Sequence, residues 1–239
     1  MNETSKTNAI RAPKFAAKYL TGKVLDIGCG EDIVCPGAQP FDLVHGDAQN
    51  IRKFLPEQSF DTVHSSHCLE HMIDPPSALA QWWSLVKTGG YLIVVVSHED
   101  LYEQGIWPSR FNHDHKATFR LGGSTKFSPV SHDIRELFAQ LPGVEIVSAE
   151  IQDHGYDYEL QANGLDPRNS RPIFPLKDAR RLLRAITKPS PNARKNCTMW
   201  IENLYFHRYG IPVDQTSRDA LAQIQVIARK LPAERPSDD

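Results

Sequence analysis

The run YLIVVVS, Tyr91 to Ser97, constrains the fold more than any other stretch of the chain. It is mostly β-branched, as a strand buried on both faces should be. Such a strand needs a layer on either side, and the flanking sequence supplies them. Pro75-Pro76 permits a helix start, SALAQWWSLVK puts Leu79, Trp82, Trp83 and Val86 at helical spacing, and Gly89-Gly90 stops it. Earlier, KVLDI, AQPFD and FDTVHSS read as strands, LVHGDA as a short third strand among them, and Asn8 to Leu20 as a helix closed by Thr21-Gly22. Strands alternating with helices predict an α/β fold with a doubly wound, mostly parallel sheet whose ligands sit at the carboxyl ends of the strands.

Downstream, Ser131 can cap a helix through Leu141, VEIVSAEI reads as a sixth strand and CTMWIENLYFH as a seventh. A C-terminal helix is expected at 217–230, with Ala220, Leu221, Ile224, Ile227 and Ala228 on one face, followed by a disordered tail PAERPSDD. A length of 239 residues suits one core with an elaboration, so residues 1–239 are read as a single domain with an insertion at about 154–195. Cys29, Cys35, Cys68 and Cys197 form no C-x-x-C pair, which argues against a disulfide framework or a zinc site and for a reducing cytoplasm. No apolar run approaches the roughly 20 residues of a membrane span, and MNETSKTNAI lacks the apolar core of a signal peptide.

The stretch VLDIGCGEDIV, Val24 to Val34, is a strand that ends in two glycines. Such a turn lets backbone approach a ligand closely, and a helix N-terminus adds partial positive charge. A dinucleotide site with G-x-G-x-x-G requires glycine at the position of Ile33, and Asp26 would repel phosphates while suiting a cationic ligand. Both points disfavour a nicotinamide-dependent oxidoreductase.

VLDIGCG resembles the first motif of class I S-adenosylmethionine (SAM) dependent methyltransferases. GDAQNI resembles that family's adenine segment, FDTVHSSHCLEHMIDP its fourth-strand motif and exit loop, and LVKTGGYLIVVV its turn into the fifth strand, in the family's order from about residue 8 to 98. The resemblance implies a Rossmann-like seven-stranded sheet, mostly parallel, with helices on both faces and an antiparallel last strand. It further implies SAM as cofactor, with Asp26 ordering the glycine loop and facing the ligand's amino group above Gly28, Cys29 and Gly30. Asp42 is the candidate for the ribose hydroxyls, Asp47 and Ala48 for the adenine edge, and Ser65 and His67 complete the implied cofactor set. Asp32 departs from the family, many of whose members have a third glycine there.

Methyl transfer from a sulfonium is an in-line displacement, and a hydroxyl acceptor also needs a base. Histidine is the usual choice, and His64, His67, His71, His98, His113 and His115 lie in or after strands four and five. The long loop from Ser97 to Gly123 is read as the acceptor pocket. Its segment SRFNHDHKATF resembles a loop in methyltransferases of glycan and secondary-metabolite tailoring. His115 is the expected base, with His113 or Asp114 orienting it, His71 and His98 as substitutes, and Trp107, Arg110, Phe111 and Phe119 around the acceptor. Asp100, His113, Asp114 and His115 supply metal-ligand types, but H-x-H in a loop is no complete site, so a divalent metal is not expected.

The segment 168–195 holds nine Arg or Lys against the single acid Asp178, giving +8 within a chain of net charge -2. LKDARRLLRAITK puts Ala179, Leu182, Leu183 and Ile186 on one helical face and Lys177, Arg181, Arg184 and Lys188 on another. Three readings stand: a solvated covering helix, a grip through Arg181 and Arg184 on an anionic, phosphate-bearing or lipid-linked acceptor, or peripheral contact with an anionic membrane. Nucleic acid is disfavoured by the acidic remainder. The expected activity is O-methylation of a small polar or glycan-type acceptor. N-methylation of an amine and a non-catalytic SAM- or partner-binding module are the alternatives.

Overall fold

The structure, a computed structural model, describes residues 3–124, 127–162, 175–186 and 191–232. Its sheet runs in the order β2 (Gln39–Phe41), β1 (Val24–Ile27), β3 (Phe60–Ser66), β4 (Val86–Ser97), β8 (Gln223–Lys230), β7 (Val144–Gln152). The first four are parallel, and β8 enters antiparallel between β4 and β7. Burial of β4 on both faces has a direct cause. Leu92, Val94 and Val96 join the main core under α3 (Pro75–Leu85) and α4 (Ile134–Ala139), whereas Ile93 packs with Tyr91 and with Tyr19 of α2 (Phe15–Tyr19).

Several expectations are corrected. The helix expected from Asn8 to Leu20 is two, α1 (Glu3–Ile10) and α2, because Pro13 between them cannot continue a helical ladder. LVHGDA forms no strand. The Asp42 carbonyl accepts from His45 N at 2.7 Å and Gly46 N at 3.2 Å, so the chain reverses at once and leaves Leu43 87% and Val44 89% exposed. CTMWIENLYFH is not a strand but part of α6 (Pro191–Tyr209). Its period is helical: Ile201, Tyr205 and Tyr209 pack inward while Trp200 and Leu204 face out. The helix expected at 217–230 is instead the strand β8, in which Ile224, Val226 and Ala228 face the α3 side and Ile227 the α2 side.

The described sheet therefore has six strands, with its antiparallel member drawn from the chain's last apolar run. Ser131 opens a short strand β6 (Ser131–Asp133), paired parallel with β5 (Thr118–Arg120), and Asp133 rather than Ser131 caps α4. Within the basic insertion α5 (Leu176–Ile186) is helical as expected, and its Leu176 and Ala179 pack with Tyr205 and Ile211. Residues 163–174 and 187–190 of the insertion, with Lys188, and the tail from 233 lie outside the described residues.

The helix α3 also fixes the mouth of the sheet, because the buried Trp82 donates from Nε1 to the Ala48 carbonyl at 2.9 Å. Trp82→Phe keeps most of the ring and strands that carbonyl, so it should cost about 1–3 kcal/mol in urea denaturation. A midpoint unchanged from that of the natural chain would show that Ala48 finds another donor.

Candidate functional site

The carboxyl ends of β1, β2 and β3 converge on two adjoining cavities. One, of about 550 Å³, is lined by Phe41, Asp42, Asp47, Ala48, His71 and Met72 among others. Its neighbour, of about 420 Å³, is lined by Glu3, Thr4, Cys29, Gly30, Glu31, Asp32 and Ser66. Gly28, Asp42 and His67 border both. Gly28 has φ +71°, and a Cβ there would stand 2.6 Å from Cys68, so only glycine fits this approach. A Cβ on Gly30 would meet nothing within 4 Å, which leaves open space over the turn.

Asp26 is fully buried at the end of β1, and both of its oxygens are engaged. Oδ2 accepts from Val34 N at 2.6 Å, which closes the glycine loop, and Oδ1 pairs with His64 Nδ1 at 2.7 Å. It orders the loop from beneath, without facing either cavity. Asp42 accepts from Gly30 N at 2.8 Å and so ties the end of β2 to the same loop. Asp47 caps the turn that follows, accepting from Gln49 N at 2.9 Å. Ser65 is fully buried and lines neither cavity, whereas its neighbour Ser66 does, as the period of two along β3 dictates.

His67 sits in the left-handed region, φ +51°, and points back under the site. Its Nδ1 lies 3.2 Å from Glu70 Oε1, and its Nε2 meets Gln223 Oε1 at 3.0 Å. Burial pushes the Glu70 carboxyl up, but the hydrogen bond and charge of His67 and the charges of His115 and His71 outweigh it, so Glu70 lies well below the usual carboxylate range. Burial alone would depress His67, and Glu70 reverses that, leaving it above the ordinary histidine value. Glu70 also binds Ser97 N at 3.1 Å and Ser97 Oγ at 2.9 Å, so one buried carboxylate joins the exits of β3 and β4.

The loop after β4 places His115 in the interior, where its Nδ1 meets Glu103 Oε1 at 2.7 Å. The orienting partner is thus Glu103, rather than His113 or Asp114. His113 is exposed, and Asp114 instead engages His71 Nδ1 at 3.0 Å. Ring contacts run from the first cavity outward: His71 to His115 at 5.1 Å, His115 to Tyr102 at 5.3 Å, Tyr102 to Phe111 at 5.7 Å. Phe111 and Arg110 line a third cavity of about 500 Å³ with Leu176 of α5, Thr198 and Glu202 of α6, and Asp214.

Other expected acceptor residues fall elsewhere. Phe119 is fully buried in the main core, its ring tilted against that of His132, because β5 turns it inward. Trp107 is half-buried and lines none of these three cavities. His98 is buried beside β8, its backbone N–H bound to Ala222 O at 2.9 Å. Arg181 is exposed on α5, and Arg184 lies on the same helix with its side chain outside the described residues. Among the described residues no group of three or more His, Cys, Asp or Glu is arranged to hold a metal ion. Glu70 and Glu103 were not singled out by the sequence. Glu103 follows Glu99 and Asp100 in one polar loop, and spacing alone does not choose among three acids.

The Glu70–His67 pair sets a pH window for stability. The depressed Glu70 stabilises above the unfolded carboxyl value of 4.5 and loses this as pH falls. The raised His67 stabilises below the unfolded value of 6.5 and loses this as pH rises through its folded value. The stability lost in Glu70→Gln, measured by urea midpoints, should therefore be largest between these two values and shrink on either side; a loss independent of pH would exclude the ion pair as its cause.

A family model described as a methyltransferase domain matches residues 3–149. An uncharacterised methyltransferase of Schizosaccharomyces pombe is 23% identical over 151 residues, a match covering 46% of this chain and 54% of the relative. The chain thus spans about half the length of the curated relative it matches. Among solved structures, a SAM-dependent methyltransferase of Archaeoglobus fulgidus is 19% identical over 96% of this chain and 95% of that one, with a TM-score of 0.47. The YcgJ protein of Bacillus subtilis is 13% identical over 95% of this chain and 99% of that one, with a TM-score of 0.45.

The residues at the two cavities fit SAM. Asp42 and Asp47 offer carboxylates to hydroxyl and amino groups beside the apolar Phe41, Ala48 and Met72, which suit a flat ring. The neighbouring cavity carries Glu3, Glu31, Asp32 and Asp42, a charge complement for an ammonium and a sulfonium. With the match over residues 3–149, the chain belongs to the methyltransferase-domain family.

Proposed function

We propose that this methyltransferase O-methylates a hydroxyl of a polar, glycan-type acceptor, with His115 as general base and the acceptor held in the cavity behind Arg110 and Phe111. The observation that carries the reading is the buried His115–Glu103 pair, 2.7 Å apart, whose imidazole contacts His71 of the first cavity on one side and, on the other, Tyr102, which touches Phe111 of the third. A carboxylate on Nδ1 fixes that nitrogen as the donor, so a neutral ring keeps its lone pair on Nε2. Nε2 engages no group among the described residues. SAM supplies a methyl group on a cationic sulfur, which departs with the bonding electron pair. His115 Nε2 takes the acceptor's proton as the acceptor oxygen bonds to carbon, and Glu103 stabilises the imidazolium that results.

The basic helix supports an anionic group on the acceptor. Leu176 at the start of α5 lines the third cavity, and Lys177 and Arg181 on the same helix are exposed. A lipid-linked acceptor is favoured by a second observation: Trp200 is 66% and Leu182 55% exposed, apolar side chains on the two packed helices that carry this charge. On this reading the enzyme works at the cytoplasmic face of a membrane without spanning it.

Transfer of labelled methyl from SAM into fractionated polar metabolites, glycans and lipids tests the acceptor class. Label confined to amines would replace O- with N-methylation. With the acceptor in hand, His115→Gln should lower kcat by about 10²- to 10⁴-fold and retain SAM affinity. Turnover unchanged in His115→Gln would sink the assignment. Arg110→Ala and Arg181→Ala should raise the acceptor KM and leave SAM affinity alone; an unaltered KM in both would return α5 to a covering role.

A further inference from the structure

The helix α1 is held in an unusual way. Its buried residues are Thr4 and Thr7, with no apolar side chain among them, and its eight residues are too few to be stable as an isolated helix. Polar bonds therefore dock it. Ser5 binds the Asp32 carboxylate through both its backbone N–H, at 2.8 Å, and its hydroxyl. Thr7 Oγ1 accepts from Gln223 at 2.9 Å, and Lys6 donates to Thr216 O at 2.8 Å.

The remaining bonds close a ring through the cofactor loop. Asp26 accepts from Val34 N at 2.6 Å, and Val34 O accepts from Asn8 Nδ2 at 3.0 Å. Asn8 Oδ1 accepts from Arg11 at 2.7 Å, Arg11 donates to His64 Nε2 across 3.2 Å, and His64 Nδ1 returns to Asp26 at 2.7 Å. The proton positions are consistent all the way round. Burial lowers His64, so it is neutral, donating from Nδ1 to the carboxylate and accepting at Nε2 from the guanidinium. Arg11 is anchored a second time by Gln225 Oε1, at 2.8 Å and 3.0 Å.

We propose that Arg11 is a positioning residue for cofactor binding, locking α1 onto the glycine turn so that α1 docking and SAM binding stabilise each other. The cavity over the turn is walled on one side by Glu3 and Thr4 of α1 and on the other by Gly28 to Asp32. A ligand that fills it touches both walls, so it binds the docked form of α1 better than the undocked form. A short helix whose fully buried residues are Thr4 and Thr7 opens at low free-energy cost, and the apparent dissociation constant scales inversely with the docked fraction. Asp32, which holds both the backbone and the hydroxyl of Ser5, is the outer anchor of this strap. The inference concerns the cofactor side and is independent of the acceptor reading above.

Amide hydrogen exchange over residues 3–12 and calorimetric titration with S-adenosylhomocysteine, both on the full chain, test it. S-adenosylhomocysteine should slow exchange over 3–12. Arg11→Met should raise the dissociation constant about tenfold and speed that exchange in the free protein. Arg11→Lys, which keeps the charge but lacks the fork, should restore only part of the affinity. Should Arg11→Met not fold, Asn8→Ala carries the test. Asn8 is exposed, lines no cavity described above, and alanine is the better helix former, so a merely helix-stabilising role predicts no loss. A several-fold weaker affinity in Asn8→Ala supports the ring. Unchanged affinity in the folded variants, or exchange over 3–12 indifferent to S-adenosylhomocysteine, overturns the proposal.

Discussion

A carboxyl group shut away from water must have its oxygens met by the protein, and Asp26 is one at the end of a central strand. Its needs organise what surrounds it. Val34 N closes the glycine loop on one oxygen, and His64 from the adjacent strand takes the other. His64 in turn requires a donor, which Arg11 brings from outside the sheet, and Arg11 leans on Gln225 of β8. Secondary elements far apart in sequence are joined because each must satisfy the group before it. The cofactor cavity lies over this network and inherits its shape.

A second buried carboxylate, Glu70, does the same for the other half of the site. It fastens Ser97 at the end of β4 and His67 at the end of β3, and its backbone carbonyl accepts from Lys116 N at 2.8 Å. Lys116 follows His115 directly, so the proposed base is held by Glu103 through its ring and by Glu70 through the neighbouring backbone. The cofactor floor and the loop after β4 therefore share one support.

The parallel half of the sheet was legible in the sequence because β1 runs into Gly28, β2 into Asp42, and β4 carries a mostly β-branched run. Gly28, Gly30, Asp42, Asp47 and Ala48 all stand at the cavities. The C-terminal half was misread in both directions for one reason. The β8 strand is buried on both faces, which erases the alternation that marks a strand, and its Ile224, Ile227 and Ala228 fall by coincidence at helical spacing. The α6 helix has Trp200 and Leu204 in solvent, which blurs its stripe into an apolar run. Ser65 and Phe119 were misplaced because the side a strand residue faces depends on register, which composition does not give. The partner of His115 was hidden for a further reason, since a contact across a folded loop has no fixed spacing along the chain.

The position of β8 bears on how the molecule comes into being. Among the described strands β8 comes latest in the sequence, yet it lies between β4 on one side and the edge strand β7 on the other. Until residues 223–230 leave the ribosome, the apolar edge of β4 has no neighbour and β7 has nothing to pair with. Gln225, the second anchor of Arg11, arrives only then, so α1 and the loop that Asp26 organises wait on the far end of the chain. Insertion of β8 therefore joins the two halves of the sheet and completes the cofactor loop's support in the same step.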